Sequence, residues 1–302
     1  MAKSESIHMK IGYPCINLYL PCRSSRSFRL ASYSEERMNR TIESNLACLS
    51  EIFVFNRDHE LLFFRISSDL IPFASHPICR FPWQKKYKRR FKEIGNFIKR
   101  QQMRVSMHPG QFIIINSPDK EIFQRSAKEL LYHAEVLDLL EIDDTAKIQI
   151  HVGGAYGNKG QSIRRFIQRY KHLDSKIKKR LVIENDERLF NIEDCLGIYE
   201  EINIPVVFDL FHFKCNNSGE SIRVALSQVC STWSEKDGLP IVDYSSQEKG
   251  KRIGSHAKTI HLGDFNGFIK ETEGLQFDIM CEIKDKEKSA LRALNLINQI
   301  IS

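Results

Sequence analysis

Two alternating periods restrict this chain more than anything else in it. Eight short apolar runs stand at Ile11–Leu18, Leu61–Ser67, Met103–His108, Lys147–Val152, Arg180–Glu184, Ile204–Leu210, Leu239–Tyr244 and Phe277–Ile283. Most are bounded by Pro, Gly, Asn or Asp, as strands are. Between them lie stretches of helical length. Glu35–Phe55 carries Met38, Ile42, Leu46, Leu49 and Phe53 at spacings of three and four. Lys120–Leu140 carries Ile122, Leu130, Leu131, Ala134 and Leu137, and Glu287–Ile301 carries Leu291, Leu294, Ile297 and Ile301. Such spacings give each helix one apolar face. Ser34 before Glu36 and Arg37, and Asn191 before Glu193 and Asp194, read as N-caps at helix starts. Only the seventh connection, Ser245–Asp264, is rich in Gly, Lys and Ser with little helical period.

Strands alternating with helices imply parallel βαβ units. Eight of them fill the 302 residues with no linker left over. The predicted fold is therefore α/β, a single (β/α)₈ TIM barrel over residues 11–302 behind a short leader, residues 1–10. A doubly wound open sheet would want a glycine-rich turn after its first strand, and Cys15–Leu20 contains no glycine. No apolar run approaches the roughly 18 residues that span a bilayer, and Met1–Met9 lacks the apolar core of a secretory signal. The eight cysteines form no Cys-x-x-Cys pair. They are expected to be reduced thiols in a cytosolic or nuclear compartment. A net charge of +7 permits a polyanionic partner without requiring one.

Side chains alternate along a strand, so every second residue points into a barrel. That rule pairs Ser106 with His108, Gln149 with His151, Val182 with Glu184, Val207 with Asp209, Ile241 with Asp243 and Met280 with Glu282. Six strands thus finish in His, Asp or Glu at the C-terminal end, the end where barrels build active sites. His212 follows Asp209 by three residues, and His256 lies in the loop after the seventh strand. So many convergent carboxylates and imidazoles need compensation, and divalent metal ions supply it. Mixed His, Asp and Glu ligands without thiolate suit Zn²⁺ or Mn²⁺. The ligands outnumber what one ion takes, so two or three ions are expected, an arrangement typical of phosphodiester hydrolysis.

The chain resembles the UV damage endonucleases, a TIM-barrel DNA repair family related in architecture to endonuclease IV. The resemblance runs from Ile11 to about Leu291. It is carried by Gly12-Tyr-Pro-Cys-Ile-Asn17, Arg65-Ile-Ser-Ser-Asp-Leu-Ile-Pro-Phe-Ala-Ser-His-Pro77, Met107-His-Pro-Gly-Gln-Phe112, Ile150-His-Val-Gly-Gly154, Val182-Ile-Glu-Asn-Asp186, Phe208-Asp-Leu-Phe-His212 and Phe277-Asp-Ile-Met-Cys-Glu-Ile-Lys284. It implies metal ligation by His108, His151, Glu184, Asp209, His212, His256 and Glu282, with Glu184 and Glu282 shared between ions. It implies that Gln111 and Phe112 wedge into the duplex at the lesion. Tyr13 and Asn17 would lie near the cut strand, His76 close to the metals, and Lys284 just past the last ligand. The implied reaction is a nick immediately 5′ of a UV photoproduct in duplex DNA that leaves a 3′-hydroxyl. Mn²⁺ is the expected metal, with Zn²⁺, Mg²⁺ or Co²⁺ as alternatives, and the implied state is a monomer.

The seventh strand departs from the family's Pro-Lys-x-His-x-Ser. It reads Pro240-Ile-Val-Asp-Tyr-Ser245, so Asp243 stands in for a metal-binding histidine and Ile241 for a lysine. Duplex binding needs cations along the phosphates. Lys85, Lys86, Lys88, Arg89 and Arg90 form the densest basic run, and Lys249, Lys251 and Arg252 lie in the seventh loop. Two other readings compete: an abasic-site endonuclease of the endonuclease IV type, and a damage-binding homologue with reduced catalysis. A metal-dependent TIM-barrel sugar isomerase would share the ligands but lack a wedge and a basic rim.

Overall fold

The computed structural model describes residues 9–110, 112–252 and 254–301. Eight strands pair in parallel and close in chain order. They are β1 (Ile11–Pro14), β2 (Phe63–Ile66), β3 (Arg104–Met107), β4 (Lys147–His151), β5 (Leu181–Glu184), β6 (Val206–Asp209), β7 (Ile241–Tyr244) and β8 (Asp278–Cys281). The helices are α1 (Glu35–Asp58), α2 (Trp83–Arg100), α3 (Lys120–Leu139), α4 (Lys159–Lys171), α5 (Ser175–Lys178), α6 (Ile192–Ile202), α7 (Leu210–Cys215), α8 (Ile222–Cys230), α9 (Leu262–Glu271) and α10 (Glu287–Ile301). The predicted barrel is thus observed, with strands shorter than the apolar runs that announce them. In β1 the ladder stops at Pro14, and Cys15 turns the chain away with φ 68°.

Local chemistry sets the helix starts. Ser34 Oγ accepts from Arg37 N at 3.1 Å. Asn191 Oδ1 accepts from Asp194 N while Asp194 Oδ2 accepts from Asn191 N, a reciprocal cap. Each cap contributes about 1 kcal/mol. The stripe Met38, Ile42, Leu46, Leu49 and Phe53 is buried against the barrel wall, each side chain contributing roughly 1.5–3 kcal/mol. β1 and β2 approach closely because residue 12 is glycine. A Cβ there would lie 2.0 Å from the Phe63 carbonyl oxygen.

The barrel interior is layered. A middle layer of Phe63, Val182, Val207, Ile241 and Met280 forms its own apolar cluster. On the N-terminal side of it, Arg104 meets Asp278 at 2.8 Å and Lys147 meets Asp237 at 2.6 Å. On the C-terminal side stand Arg65, Gln149, Glu184, Asp209 and Asp243, all buried. The inward alternation read from the sequence is the one observed.

Two expectations change. Cys22 and Cys48 are disulfide-bonded and not reduced, tying the β1–α1 loop to α1. Their Cα atoms are 5.7 Å apart, within bridging range. A sequence separation of 26 gave no hint of it. Pairing with the barrel starts before the expected boundary at residue 11. Lys10 already belongs to the barrel, its N–H donating to Asp278 Oδ1 and its carbonyl accepting from Ile279 N. Residues 1–8 lie outside the described part. The seventh connection is irregular as expected, with one antiparallel bridge, Gln247 to His256, before α9. Among the described residues no helix is long and apolar enough to cross a membrane.

Candidate metal centre

Five strands deliver the site directly. His151, Glu184, Asp209 and Asp243 are the last or next-to-last residues of β4 to β7, and Glu282 follows β8. His108 stands one residue past β3. Asp209 has a second role as the N-cap of α7. Its Oδ1 accepts from His212 N at 2.7 Å, and that turn brings His212 back over the barrel mouth.

Glu184 is the centre of the cluster. His108 Nε2 is 2.7 Å and His151 Nε2 3.2 Å from its Oε1. His212 Nδ1 lies 3.2 Å from Asp209 Oδ2. The donor atoms fall into three groups, each with all atoms within 4.8 Å: His108–His151–Glu184, Glu184–Asp209–His212 and Asp209–Asp243–Glu282. Shared Glu184 and Asp209 link the groups into one chain of sites. His256 is in none of them. Its Nδ1 lies 2.9 Å from the Glu282 carbonyl oxygen, and its ring stands 5.1 Å from that of Phe211.

The electrostatics fit a cation. Burial pushes Asp209 well above the usual carboxylate range, with Glu282, Asp243 and Glu184 adding to the effect against His212. Burial likewise pushes Asp243 up to about 7 despite the Arg65 guanidinium. Burial acts to raise Glu184 too, but the His151 and His108 charges outweigh it and hold Glu184 below its ordinary value. His108 and His212 respond in kind. Burial disfavours their charge, but Glu184 carries His108 up to about 9, and Asp209 with Glu184 carries His212 up to about 9. Protons therefore do the neutralising where a divalent ion would do it better, and the nitrogen and oxygen donors suit Mn²⁺ or Zn²⁺.

Two residues of the site had no role in the sequence reading. Arg65, fully inside the barrel, donates from Nη2 to Asp243 Oδ1 at 2.8 Å and Oδ2 at 3.0 Å, and from Nη1 to Glu282 Oε1. Gln149 accepts from Arg65 Nη2 at 2.9 Å and donates to Glu184 at 2.5 Å and Asp243 at 2.6 Å. The inward alternation of Phe63 and Arg65 was the available signal.

The remaining candidates scatter. Tyr13 and Asn17 are buried, which corrects their expected place beside the cut strand. Tyr13 faces outward from β1. Its hydroxyl donates to Asn56 of α1 at 2.6 Å and accepts from Asn17 at 2.8 Å. Asn17 Oδ1 then shapes the next turn by accepting from Tyr19 N and Leu20 N. This pair braces the loop that exposes Leu18 and Tyr19. Phe112 stands on the β3–α3 loop, 79% exposed, and Gln111 lies outside the described residues. His76 is exposed, its Nδ1 accepting from Ile78 N, and it joins none of the three groups. Lys284 pairs with Glu248 at 3.8 Å. Lys85, Lys86 and Lys88 are exposed in the first turns of α2, whereas Arg89 and Arg90 pair with Glu93 and Arg90 also donates to Ser50 Oγ. Lys249, Lys251 and Arg252 are exposed on the β7–α9 loop.

A groove of about 350 Å³ opens beside His108 and His151 toward Gly154, Asp186 and Leu189. A larger cavity of about 730 Å³ lies at the opposite end, by Lys10, Arg104 and Asp278. The convergent ligands, not the volume, mark the first as the site.

The comparisons agree with this geometry. The sequence profile described as UV-endonuclease UvdE matches residues 9–301. A UV DNA damage endonuclease of Clostridium perfringens (strain 13 / Type A) is 40% identical over 294 residues, 97% of this chain and 71% of that protein. The crystal structure of SacUVDE superposes with a TM-score of 0.93 at 45% identity, covering 97% of this chain and 99% of that one. Endonuclease IV from Thermus thermophilus has a TM-score of 0.55 at 14% identity, covering 83% of this chain and 93% of that one, a likeness of fold alone. With a profile match over nearly its whole length and a relative this similar, the chain belongs to the UV-endonuclease UvdE family and is an endonuclease by class.

Proposed function

We propose that this protein nicks duplex DNA immediately 5′ of UV photoproducts, by metal-dependent hydrolysis that leaves a 3′-hydroxyl. The observation that carries the reading is the shared-ligand cluster at the C-terminal mouth of the barrel, with the aromatic side chain of Phe112 left in solvent on the loop that follows the ligand His108. Bound divalent ions supply Lewis acidity at the phosphate and a water of lowered pKa. His108, His151 and Glu184 would hold one ion, and Glu184, Asp209 and His212 a second. Asp209, Asp243 and Glu282 are the residues available to a third. His256 braces the Glu282 backbone from the side, fixing where that carboxylate points. His76 and Lys284 stand at the rim as candidates to position the scissile strand, and Mn²⁺ is the ion we favour.

A damaged dinucleotide stacks and pairs poorly, so extruding it costs less than extruding normal bases. Phe112 fills the space left behind, with Gln111 beside it in sequence. Lys85, Lys86 and Lys88 on α2, with Lys249, Lys251 and Arg252 on the β7–α9 loop, offer charge to the phosphates. The partner is damaged double-stranded DNA bound by a monomer.

The test is a nicking assay with Mn²⁺ on 5′-labelled duplexes carrying a photoproduct, an abasic site or no damage. The expected result is a chelator-sensitive cut directly 5′ of the photoproduct. Cutting only at the abasic site would move the protein to the endonuclease IV type of reaction. Tight damage-dependent binding without a cut would make it a binding homologue.

A further inference from the structure

Arg65 is the one guanidinium inside the acidic mouth of the barrel among the described residues, and its contacts are unevenly distributed. Three of its hydrogen bonds go to two carboxylates, Asp243 and Glu282. The fourth goes to Gln149, whose amide then donates to both Asp243 and Glu184. No hydrogen bond from Arg65 reaches His108, His151, Asp209 or His212. The guanidinium therefore occupies one flank of the cluster and leaves the other open.

That flank coincides with one of the three ligand groups. Asp209–Asp243–Glu282 shares two of its three carboxylates with Arg65. Arg65 Nη2, bonded to both oxygens of Asp243, and the Gln149 amide on Oδ2 together take three of the roughly four lone-pair sites of that carboxylate, which leaves it little capacity for a metal in this dry site. Arg65 is always charged and held by β2, so a divalent ion entering the same triad would face a fixed like charge at contact distance. The other two groups, which meet at Glu184, contain no residue bonded to Arg65. Ile241, directly below Asp243 on β7, belongs to the apolar layer and supplies no further donor. The Asp243 side of the mouth is thus closed from below by hydrocarbon and from the side by Arg65.

We propose that Arg65 is a positioning residue that serves as the fixed cation of the cluster. It takes Asp243 out of metal ligation, anchors Glu282, and limits the chain to two ions, one in each Glu184-centred group. This rests on the metal-dependent reading above, which left two or three ions open.

The experiment counts ions without measuring cleavage. The full-length protein is loaded with Mn²⁺ alone, desalted, and assayed for bound manganese by elemental analysis and by native mass spectrometry. The expected count is two for the wild type, two for Asp243→Asn, and two for Arg65→Lys, which keeps the charge. Arg65→Met is expected to gain a third ion, because the freed Asp209–Asp243–Glu282 group then needs one. Should Arg65→Met fail to fold by circular dichroism, Asp243→Asn still decides. A wild-type count of three that falls to two in Asp243→Asn would overturn the inference and leave the metal-dependent reading intact. A wild-type count of zero under saturating Mn²⁺ would overturn both.

Discussion

The two ends of the barrel interior are built by the same alternation and solve the same problem differently. At the N-terminal end two cations meet two carboxylates. Arg104 pairs with Asp278, Lys147 pairs with Asp237, and Arg104 also lies over the rings of Phe63 and Trp233. At the C-terminal end one guanidinium faces four carboxylates, Glu184, Asp209, Asp243 and Glu282, and the balance is made up by imidazoles carrying raised pKa values. A buried charge left unpaired is costly. The lower end is therefore complete within the chain, while the upper end is complete only with added cations. The difference separates a stabilising polar core from a site, although the two are made of the same residue types.

The contrast yields four predictions, taken from the largest expected effect down. Glu184→Gln, at the junction of two ligand groups, should abolish nicking by roughly 10³-fold or more, because metal ligation supplies several kcal/mol to the transition state. Its circular dichroism should stay native, and full activity in this variant would remove the site assignment. The mirror experiment is Asp278→Leu at the other end. Stranding Arg104 there should cost about 3–5 kcal/mol of stability by chemical denaturation, as buried pairs do when one partner is removed. Nicking per folded molecule should not change, and if it does, the two ends are not independent.

Acidity sharpens the comparison next. His108 and His212 sit near 9 in the metal-free protein, above the ordinary imidazole value of 6.5. A raised folded-state pKa gives stability that is complete below pH 6.5 and lost as pH rises through 9. The metal-free melting temperature should therefore fall between those limits. Mn²⁺ affinity should rise over the same window, by about tenfold per unit for each proton displaced. A flat titration would show that the imidazoles are not ligands. The smallest effect is expected from Phe112→Ala. Losing one stacking ring should cost about 1–3 kcal/mol of preference for damaged over undamaged duplex, and Phe112→Tyr should restore it.

Much of this was legible in one dimension. The eight-fold repeat of a strand period and a helix period is local, and it led to the closed barrel. Period-two alternation within each strand identified the inward residues, so the convergence of His108, His151, Glu184, Asp209 and Glu282 followed once the barrel was granted. Ser34 and Asn191 were readable as caps because capping is a contact between residues three apart. The misreadings arose where motif overrode alternation. Tyr13 lies in a stretch that resembles the family, yet its parity on β1 points it outward to Asn56.

The sequence by itself determined which residues line the barrel and at which end each stands, because strand parity and chain order are properties of neighbours. Only the tertiary structure decided how those residues pair. Arg65 and Asp243 are 178 positions apart, Arg65 and Glu282 217, and nothing local says that a guanidinium on β2 reaches across the barrel to β7 and β8. The Cys22–Cys48 bridge is of the same kind, a meeting of a loop and a helix face fixed only when α1 docks. Charge compensation in a closed barrel is a property of all eight strands at once, so it appears only when the last strand has closed on the first.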